Sequence, residues 1–456
     1  MKKRLALAVV ILVLLTGLAL AALRVGPQPS IEIRPALRAI GRATPVAVEV
    51  REPSRGVASV RVELVQGELA ALLAEESGRT LAAWRLWGDR DGARTIGLTV
   101  GSEREPRLVE GPAKIRVTAT GAGSWLRAAP VAVAEVELPV RLTPPRLEVV
   151  STQTYVAQGG CEAVVYRVGP SAARDGVRAG ERFFPGWPLP GGAPTDRFAL
   201  FAVPWDLGDA GRIELVAVDE VGNERTARFV DQFFPRPPRA DDIQLTEAFL
   251  AKVVAEIRAE TPGLPDAGGL LENYLAINRD LRAANARELD ALAAQTAPSF
   301  LWNAPFLALP GGQVMSSFAD RRTYFYGGRE VDRQYHLGFD LASVARADVP
   351  AANAGVVVLA RFFGIYGNTV VVDHGYGLMS LYAHLSSIAV APGDRVQRGA
   401  VLGRSGATGL AAGDHLHFSF LLQGLPVRPA EWWDPHWIED RLKRKLGAAL
   451  PFPARP

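Results

Sequence analysis

Alternation of apolar and polar residues dominates the first third of the chain. It appears in VAVEV at 46–50, in VRVEL at 60–64 and in EVELPVRL at 135–142. A period of two indicates β-strands that bury one face. Between these runs, LAALLAEESGRTLAAW at 69–84 fits either a helix or an irregular insertion. We therefore expect a β module over residues 31–143, with that one stretch undecided.

A second group of short alternating runs follows the boundary at Thr143-Pro144-Pro145. It comprises RLEVVS, CEAVVYRV and RIELVAVDEVGNERTARFV, and Asp219 to Asn223 form a hairpin signal inside the last run. Short strands separated by turn residues are typical of β-sandwiches. The pattern predicts immunoglobulin-like sandwiches over 31–143 and 146–235. Their roles as spacers or as recognition modules stay open.

The hydrophobic period changes after the proline-rich stretch FFPRPPRADD. Phe249, Leu250 and Val253, together with Val254 and Ile257, fall on one face of a helix near 245–260. Apolar positions from Leu271 onward predict a second helix that reaches about residue 292. We expect a helical connector over 240–300, which packs on the next domain, covers it as a lid or acts as a partner-binding arm.

The last third returns to short β-type runs. GVVVLARFF, NTVVVDHG, LMSLYAHL and HLHFSFLL are rich in valine, leucine and aromatic residues. They predict a compact antiparallel β domain over 303–432, followed by a short tail at 433–456. The fold class expected for the whole chain is thus multidomain and mainly β.

The chain begins with a basic and then apolar segment. Lys2, Lys3 and Arg4 precede an uncharged run from Leu5 to Leu23, which is close to the roughly 20 residues that span a bilayer. The basic start predicts a signal anchor over 1–30 that holds the chain in the inner membrane, with the bulk facing the periplasm or outside. A cleaved secretory signal is the alternative, because Ala19-Leu20-Ala21 resembles a cleavage site.

Composition excludes several classes of protein. A hydrophobic fraction of 48% and a charged fraction of 22% are those of folded domains. The net charge of +3 is small for 456 residues and no basic run carries interleaved aromatics, so we expect no nucleic-acid partner. Cys161 is the single cysteine, which excludes an intrachain disulfide and favours a buried apolar role.

The six histidines are confined to the C-terminal domain and its tail. His336 and Asp340 lie four residues apart in HLGFDLAS, so on an extended strand their side chains point the same way. His415 and His417 are two apart in HLHFSF and share a face, and His384 follows another alternating run. Imidazole and carboxylate groups are suitable ligands for Zn²⁺, and catalytic zinc sites use three of them.

Other interpretations of these motifs are weaker. HxH also occurs in cupin metal sites, but the glutamate expected shortly afterwards is missing here. No HExxH helix is present. The glycine-rich GRSGATGLAAGD lacks the Lys-Ser/Thr pair of a phosphate loop and precedes a strand. The ordered combination of HxxxD, AHL and HLH is the specific signal.

Together with GNTVVVDHG and PGDRVQRGAVLGRSGATG, these motifs resemble the lysostaphin-type (LytM-type) zinc metallopeptidases, which cut peptide bridges of bacterial peptidoglycan. The resemblance covers about 310–432. It implies one Zn²⁺ per chain held by His336, Asp340 and His417. It also implies that His384 and His415 are the catalytic histidines, which polarise water and stabilise the oxyanion, and it leaves open which of them does which. Asp414 stands where proline is common in the family, and Ser419 where glutamate is frequent.

The expected function is therefore hydrolysis of peptidoglycan cross-links by metal-activated water in the bacterial cell envelope. The alternative is a non-catalytic envelope scaffold that uses the same groove to activate other wall hydrolases, because some family members have lost ligands. An envelope protein as partner is left open. The sequence does not distinguish Gly–Gly from D-Ala–diaminopimelate bonds.

Overall fold

A computed structural model describes residues 2–452, which form two compact units. The first contains residues up to Pro145 with the segments 171–173 and 218–225, and the second contains the rest. Residue 1 of the predicted anchor and residues 453–456 of the predicted tail lie outside the described residues.

The N-terminal segment is helical. Helix α1 covers Lys2–Leu23. In the part of the chain that the structure describes, no helix combines the length and the apolar character that crossing a bilayer requires. The predicted membrane segment at 1–30 is therefore not confirmed.

The first unit contains seven strands in two antiparallel sheets, ordered β1-β2-β5 and β4-β3-β6-β7. The alternating valines identified in the sequence are the reason for this arrangement. Val48, Val62 and Val117 from both sheets are fully buried in one hydrophobic core. Strand bounds are β1 Ser30–Pro35, β2 Thr44–Arg51, β3 Ser59–Gln66, β4 Leu69–Ser77, β5 Ala93–Val100, β6 Gly111–Thr120 and β7 Val131–Val140.

The next ten strands form three small sheets, ordered β13-β14-β10-β8, β12-β11-β15-β16 and β17-β9. Their bounds are β8 Leu147–Val149, β9 Tyr155–Ala157, β10 Cys161–Val168, β11 Ala172–Ala179, β12 Arg182–Pro185, β13 Trp187–Pro188, β14 Asp196–Ala202, β15 Ile213–Asp219, β16 Glu224–Ala227 and β17 Gln232–Phe234, with a 3₁₀ turn at Ala210–Arg212. Both modules are β-rich, but an immunoglobulin-like topology is not confirmed for either.

A helical segment then precedes the last domain. Helix α2 covers Glu247–Glu260, and a continuous helical run follows with α3 Leu270–Ala276, a π-turn Ile277–Leu281 and α4 Arg282–Ala293. Thr246 caps α2 by accepting a hydrogen bond from Phe249 N–H at 3.2 Å. The face predicted from the sequence is the buried one, with Leu250, Val253 and Ile257 in a shared core with Tyr274.

The last domain contains one large sheet and two smaller ones. The main one has the order β19-β22-β30-β26-β25-β24-β28, with β31 paired to β30, and smaller sheets are ordered β18-β20-β21 and β23-β29-β27. Strand bounds are β18 Ala240–Gln244, β19 Gln313–Ser316, β20 Asp320–Tyr326, β21 Arg329–His336, β22 Phe339–Ala342, β23 Asp348–Pro350, β24 Gly355–Phe362, β25 Asn368–Asp373, β26 Leu378–Leu385, β27 Ser387–Ile388, β28 Arg395–Val396, β29 Val401–Arg404, β30 Leu416–Leu422 and β31 Leu425–Val427.

The last domain and the segment after it also contain short helical pieces. They are a 3₁₀ turn Gly364–Tyr366, α5 Pro429–Trp433, α6 Pro435–Trp437, a π-turn Ile438–Lys443, α7 Arg444–Leu446 and a 3₁₀ turn Gly447–Ala449. The mainly β character of the protein and its β-rich C-terminal domain are confirmed. The boundaries predicted between the modules, the helical connector and the tail stay predictions, because the structure divides the chain only into the two units above.

Candidate metal centre

Strand register brings the predicted residues together from distant parts of the chain. Asp340 on β22 pairs with His417 on β30, and His417 pairs in turn with Ala383 on β26. His384 therefore follows directly after the partner of His417. His336 is the last residue of β21, and a short turn connects it to β22. The centre thus lies across three neighbouring strands of the main sheet.

Three donor atoms converge at this point. His336 Nε2 lies 2.9 Å from Asp340 Oδ1 and 3.0 Å from His417 Nδ1, and His417 Nδ1 lies 3.0 Å from Asp340 Oδ1. Among the described residues, this is the group of His, Cys, Asp and Glu side chains with the spacing of a metal site. Ligands of a tetrahedral zinc with bonds of 2.0–2.1 Å lie about 3.3 Å apart, so the donor set fits that ion after a small expansion.

The protons on the two imidazoles are directed away from this point. His336 Nδ1–H donates to the carbonyl oxygen of Ser317 at 3.0 Å, which leaves its Nε2 unprotonated. His417 Nε2–H donates to Ser419 Oγ at 3.1 Å, and Ser419 donates to the carbonyl oxygen of Leu337 at 2.8 Å. Each ring therefore presents a lone pair toward Asp340. Burial lowers the pKa of His417 to about 4, which favours the neutral form that binds metals.

Gly338 in HLGFD allows the backbone to pass close to the centre. A Cβ atom at this position would lie 2.5 Å from Ser419 Oγ and 2.6 Å from His417 Nε2. A side chain there would displace the imidazole or its hydroxyl partner, because real Cβ atoms do not approach so closely. The glycine is thus part of what holds His417 in place.

His384 and His415 lie beside the ligand group rather than in it. Their ring centroids are 4.9 Å apart, and the His384 ring is 5.7 Å from that of His417. His384 Nδ1–H donates to Thr408 O and His415 Nδ1–H donates to Gly413 O, each at 2.8 Å. Both Nε2 atoms are left for other partners, and His415 Nε2 lies 3.5 Å from Asp340 Oδ1.

The two histidines differ in charge preference. Burial, together with the nearby His415 and His417, holds the pKa of His384 well below its usual value. Burial also lowers the pKa of His415, but the hydrogen bond and negative charge of Asp340 outweigh it and raise that pKa. His384 has a backbone φ of +61°. This left-handed conformation costs free energy in residues other than glycine, and such residues are concentrated at functional sites.

Arg322 is a site residue that the sequence did not reveal. Its Nη2 donates to Asp340 Oδ2 at 2.9 Å, on the oxygen opposite the histidines. Strand register is what brings Arg322 to the centre, because Arg322 on β20 pairs with Gln334 on β21, two residues before His336. A single sequence does not specify that pairing.

The ligand group opens into a cavity. Its walls come partly from the last domain, through Tyr366, Leu410 and His384, and partly from the helical segment, through Phe249, Tyr274 and Arg282.

The remaining two histidines lie outside the centre. His374 is buried between Ala354 O and Ser380 Oγ, and His436 lies on α6.

Comparison with known proteins identifies the last domain. Residues 334–429 match the model of peptidase family M23. The chain is 38% identical over 115 residues to peptidoglycan DD-endopeptidase ShyA of Vibrio cholerae, covering 25% of this chain and 26% of that protein. It is 40% identical over 94 residues to DD-carboxypeptidase/endopeptidase Mpg of Neisseria meningitidis, covering 21% of this chain and 22% of that protein.

Solved structures include the catalytic domain of the antimicrobial peptidase lysostaphin from Staphylococcus simulans. It is 25% identical and has a TM-score of 0.24, with 27% of this chain and 94% of that one covered. The chain thus matches about a quarter of the length of its curated relatives, and the matched part contains all five histidine and aspartate residues of the centre.

Proposed function

Because residues 334–429 form a peptidase family M23 domain of the lysostaphin type, we propose that this protein is a zinc-dependent endopeptidase that hydrolyses peptide cross-links of peptidoglycan. The observation that carries the proposal is the convergence of His336 Nε2, Asp340 Oδ1 and His417 Nδ1 within 3.0 Å of one another. Zn²⁺ bound there would supply a Lewis acid and lower the pKa of a water molecule to about 7.

The chain's own residues would then handle protons and orientation. His384 is neutral near neutral pH and has its Nδ1–H engaged by Thr408 O, so its Nε2 can accept a proton from a water molecule in the cavity. His415 has the same arrangement at Gly413 O, and its Nε2 can hold a proton close to the developing oxyanion of a tetrahedral intermediate. Arg322 fixes the carboxylate of Asp340 from the side away from the histidines.

The relatives support a narrower substrate. ShyA and Mpg carry names that include DD-endopeptidase activity. We therefore propose DD peptide cross-links as the substrate of this chain, and the cell envelope as its location because that is where this substrate occurs. The non-catalytic scaffold is not favoured, since every ligand and both additional histidines are present.

The test is digestion of purified peptidoglycan by the full chain loaded with zinc. Mass spectrometry of the released fragments identifies the bond by the new amino and carboxyl termini. We expect peptide release that a chelator abolishes and added Zn²⁺ restores. The matched control is His374→Ala, which removes a buried histidine outside the centre and should keep zinc. Absence of release from the loaded protein would contradict the proposal and favour the scaffold.

A further inference from the structure

One wall of the metal cavity comes from outside the peptidase family match. Phe249, Tyr274 and Arg282 line the cavity together with the ligand group. They belong to the helical segment, whereas the family match begins at residue 334. Phe249 and Tyr274 are apolar contacts within the helical core. Of these three residues, Arg282 is the one that carries a charge.

The guanidinium of Arg282 is held in place by neutral acceptors. Its Nε donates to Asn278 O at 3.0 Å and its Nη2 to Asn278 Oδ1 at 2.6 Å. Asn278 is itself fully buried, and its Nδ2 donates to Asp332 Oδ2 at 2.8 Å. The side chain is therefore oriented before any ligand arrives. Within residues 2–452, no hydrogen bond involves its Nη1 and no carboxylate forms an ion pair with it.

The other arginine of the cavity already has acidic partners. Arg322 donates to Asp340 Oδ2 at 2.9 Å, and its Nε lies 3.8 Å from Asp241 Oδ2. These two carboxylates are the acidic groups among the described residues that line the cavity. Arg282 is thus the lining cation without an acidic partner. A planar guanidinium that is oriented and unpaired matches a carboxylate, to which it can donate two hydrogen bonds.

Arg282 is also close to the reacting region. Arg282 and Tyr366 line the same cavity as the ligand group. The Tyr366 ring centroid is 5.7 Å from that of His417. A ligand could therefore contact Arg282 at one end while another of its bonds lies at the metal centre.

We propose that Arg282 forms a subsite for a free carboxylate of the peptide substrate, next to the bond that is cut. The proposal rests on the function proposed above and extends it to substrate choice. A stem peptide whose carboxylate is free would be preferred to the same peptide with that group amidated, because the amide carries no charge and forms a weaker pair with guanidinium.

The experiment uses two synthetic cross-linked peptides that differ only in a free or amidated carboxylate beside the scissile bond. The full, zinc-loaded chain is compared with Arg282→Gln and Arg282→Lys for kcat, KM and equilibrium binding. We expect the original chain to prefer the free carboxylate roughly 10- to 100-fold in kcat/KM, the range of a charged hydrogen bond. Arg282→Gln should lose this preference through KM, with a much smaller change for the amidated peptide, and Arg282→Lys should retain part of the preference.

Arg279→Gln is the matched control. Arg279 lies one turn earlier, pairs with Asp332 at 2.9 Å and does not line the cavity, so its replacement should leave the preference unchanged. Equal loss with both peptides in Arg282→Gln, or no preference in the original chain, would overturn the subsite. If neither peptide is cleaved, the binding data decide: a preference lost in Arg282→Gln supports the subsite and contradicts only the proposed catalysis, whereas equal binding overturns the subsite as well.

Discussion

The orientation of His417 depends on a hydroxyl group that stands where the family often has glutamate. Ser419 Oγ accepts from His417 Nε2–H at 3.1 Å and donates to Leu337 O at 2.8 Å. This pair of hydrogen bonds keeps the proton on Nε2 and the lone pair on Nδ1. A partner of this kind typically changes metal affinity when it is removed. The sequence marked Ser419 as a departure from the family, but only the structure shows what it contacts.

Replacing Ser419 with alanine should therefore weaken zinc binding. We expect a loss in affinity of roughly 10- to 100-fold, because the imidazole is no longer held in one tautomer and orientation. Titration of the apo protein with Zn²⁺ in competition with a chromophoric chelator measures it. Ser380→Ala is the matched control, since Ser380 Oγ lies 2.7 Å from Nε2 of the buried His374, away from the centre. Equal zinc affinity in both variants would contradict the role given to Ser419.

The sequence predicted which five side chains would meet, and the structure brings all five into one region. The spacing of HxH supported that prediction, because residues two apart share a strand face. The same argument was wrong for HxxxD: His336 ends β21 and Asp340 lies on β22, so the turn between these strands brings the two side chains together. Arg322 and Arg282 were missed for a physical reason. Each approaches the centre through an element that is paired or packed at long range, and nothing local to either residue indicates that contact.

At the scale of elements, the helical segment carries a clear N-terminal signal. Thr246 accepts from Phe249 N–H, and this satisfies one of the backbone donors that a helix leaves free at its start. The segment also forms one wall of the metal cavity through Phe249. Local fraying at this end would therefore alter the wall.

Thr246→Ala should destabilise the start of α2 by about 1 kcal/mol through loss of the cap. Hydrogen exchange of the Leu250 amide, which donates to the carbonyl oxygen of residue 246, should then become roughly five times faster, which is the factor that corresponds to this free energy. Thr246→Ser keeps an acceptor oxygen and should exchange close to the original rate. If serine and alanine accelerate exchange equally, the cap contributes nothing and the stability of α2 comes from packing alone.

The stretch at 69–84 shows why one element was left undecided. Its first part is a strand, β4 Leu69–Ser77, although leucine, alanine and glutamate favour helices. It forms an antiparallel pair with β3 whose register shifts between Val62 and Glu63. The bulge disturbs the alternation that would have indicated a strand. Pairing with a neighbour outweighs local propensity here, and the neighbour is not visible in the stretch itself.

At the scale of the second unit, the β module and the end of the chain are linked through buried charges. Cys161 N–H donates to Glu431 Oε2 at 2.7 Å, and Lys445 Nζ lies 3.1 Å from Glu162 Oε1. Trp205 and Tyr335 add a ring contact with centroids 4.0 Å apart. The sequence treated residues 433–456 as a tail, and no local pattern could show that Lys445 contacts a strand more than 280 positions earlier.

Glu431 should make the stability of this unit depend on pH. Burial raises its pKa to about 7, against the partial opposition of the Cys161 N–H and the Arg428 charge. A carboxyl group whose pKa is raised on folding stabilises the fold below its unfolded value of 4.5, and this contribution is lost as the pH rises to about 7. Stability measured by urea unfolding should therefore fall between these values.

Glu431→Gln should reduce that dependence and stabilise the protein at pH 8 by on the order of 3 kcal/mol, because the amide carries no charge to desolvate. The remaining dependence is expected from Glu162, because burial also raises its pKa to about 7. The control is Glu181→Gln, whose side chain is 93% exposed and should have little effect. Unchanged pH dependence in Glu431→Gln would show that the carboxyl group is not the source.

The most direct test of the proposed metal centre measures zinc content per chain by elemental analysis on two variants. Peptide release from peptidoglycan is measured on the same variants. His417→Ala removes a ligand atom and should lose both zinc and activity. His415→Ala should keep about one zinc per chain, since three ligands remain, and lose activity. Full zinc in His417→Ala, or normal digestion by His415→Ala, would contradict the assignment of these two neighbouring histidines to different tasks.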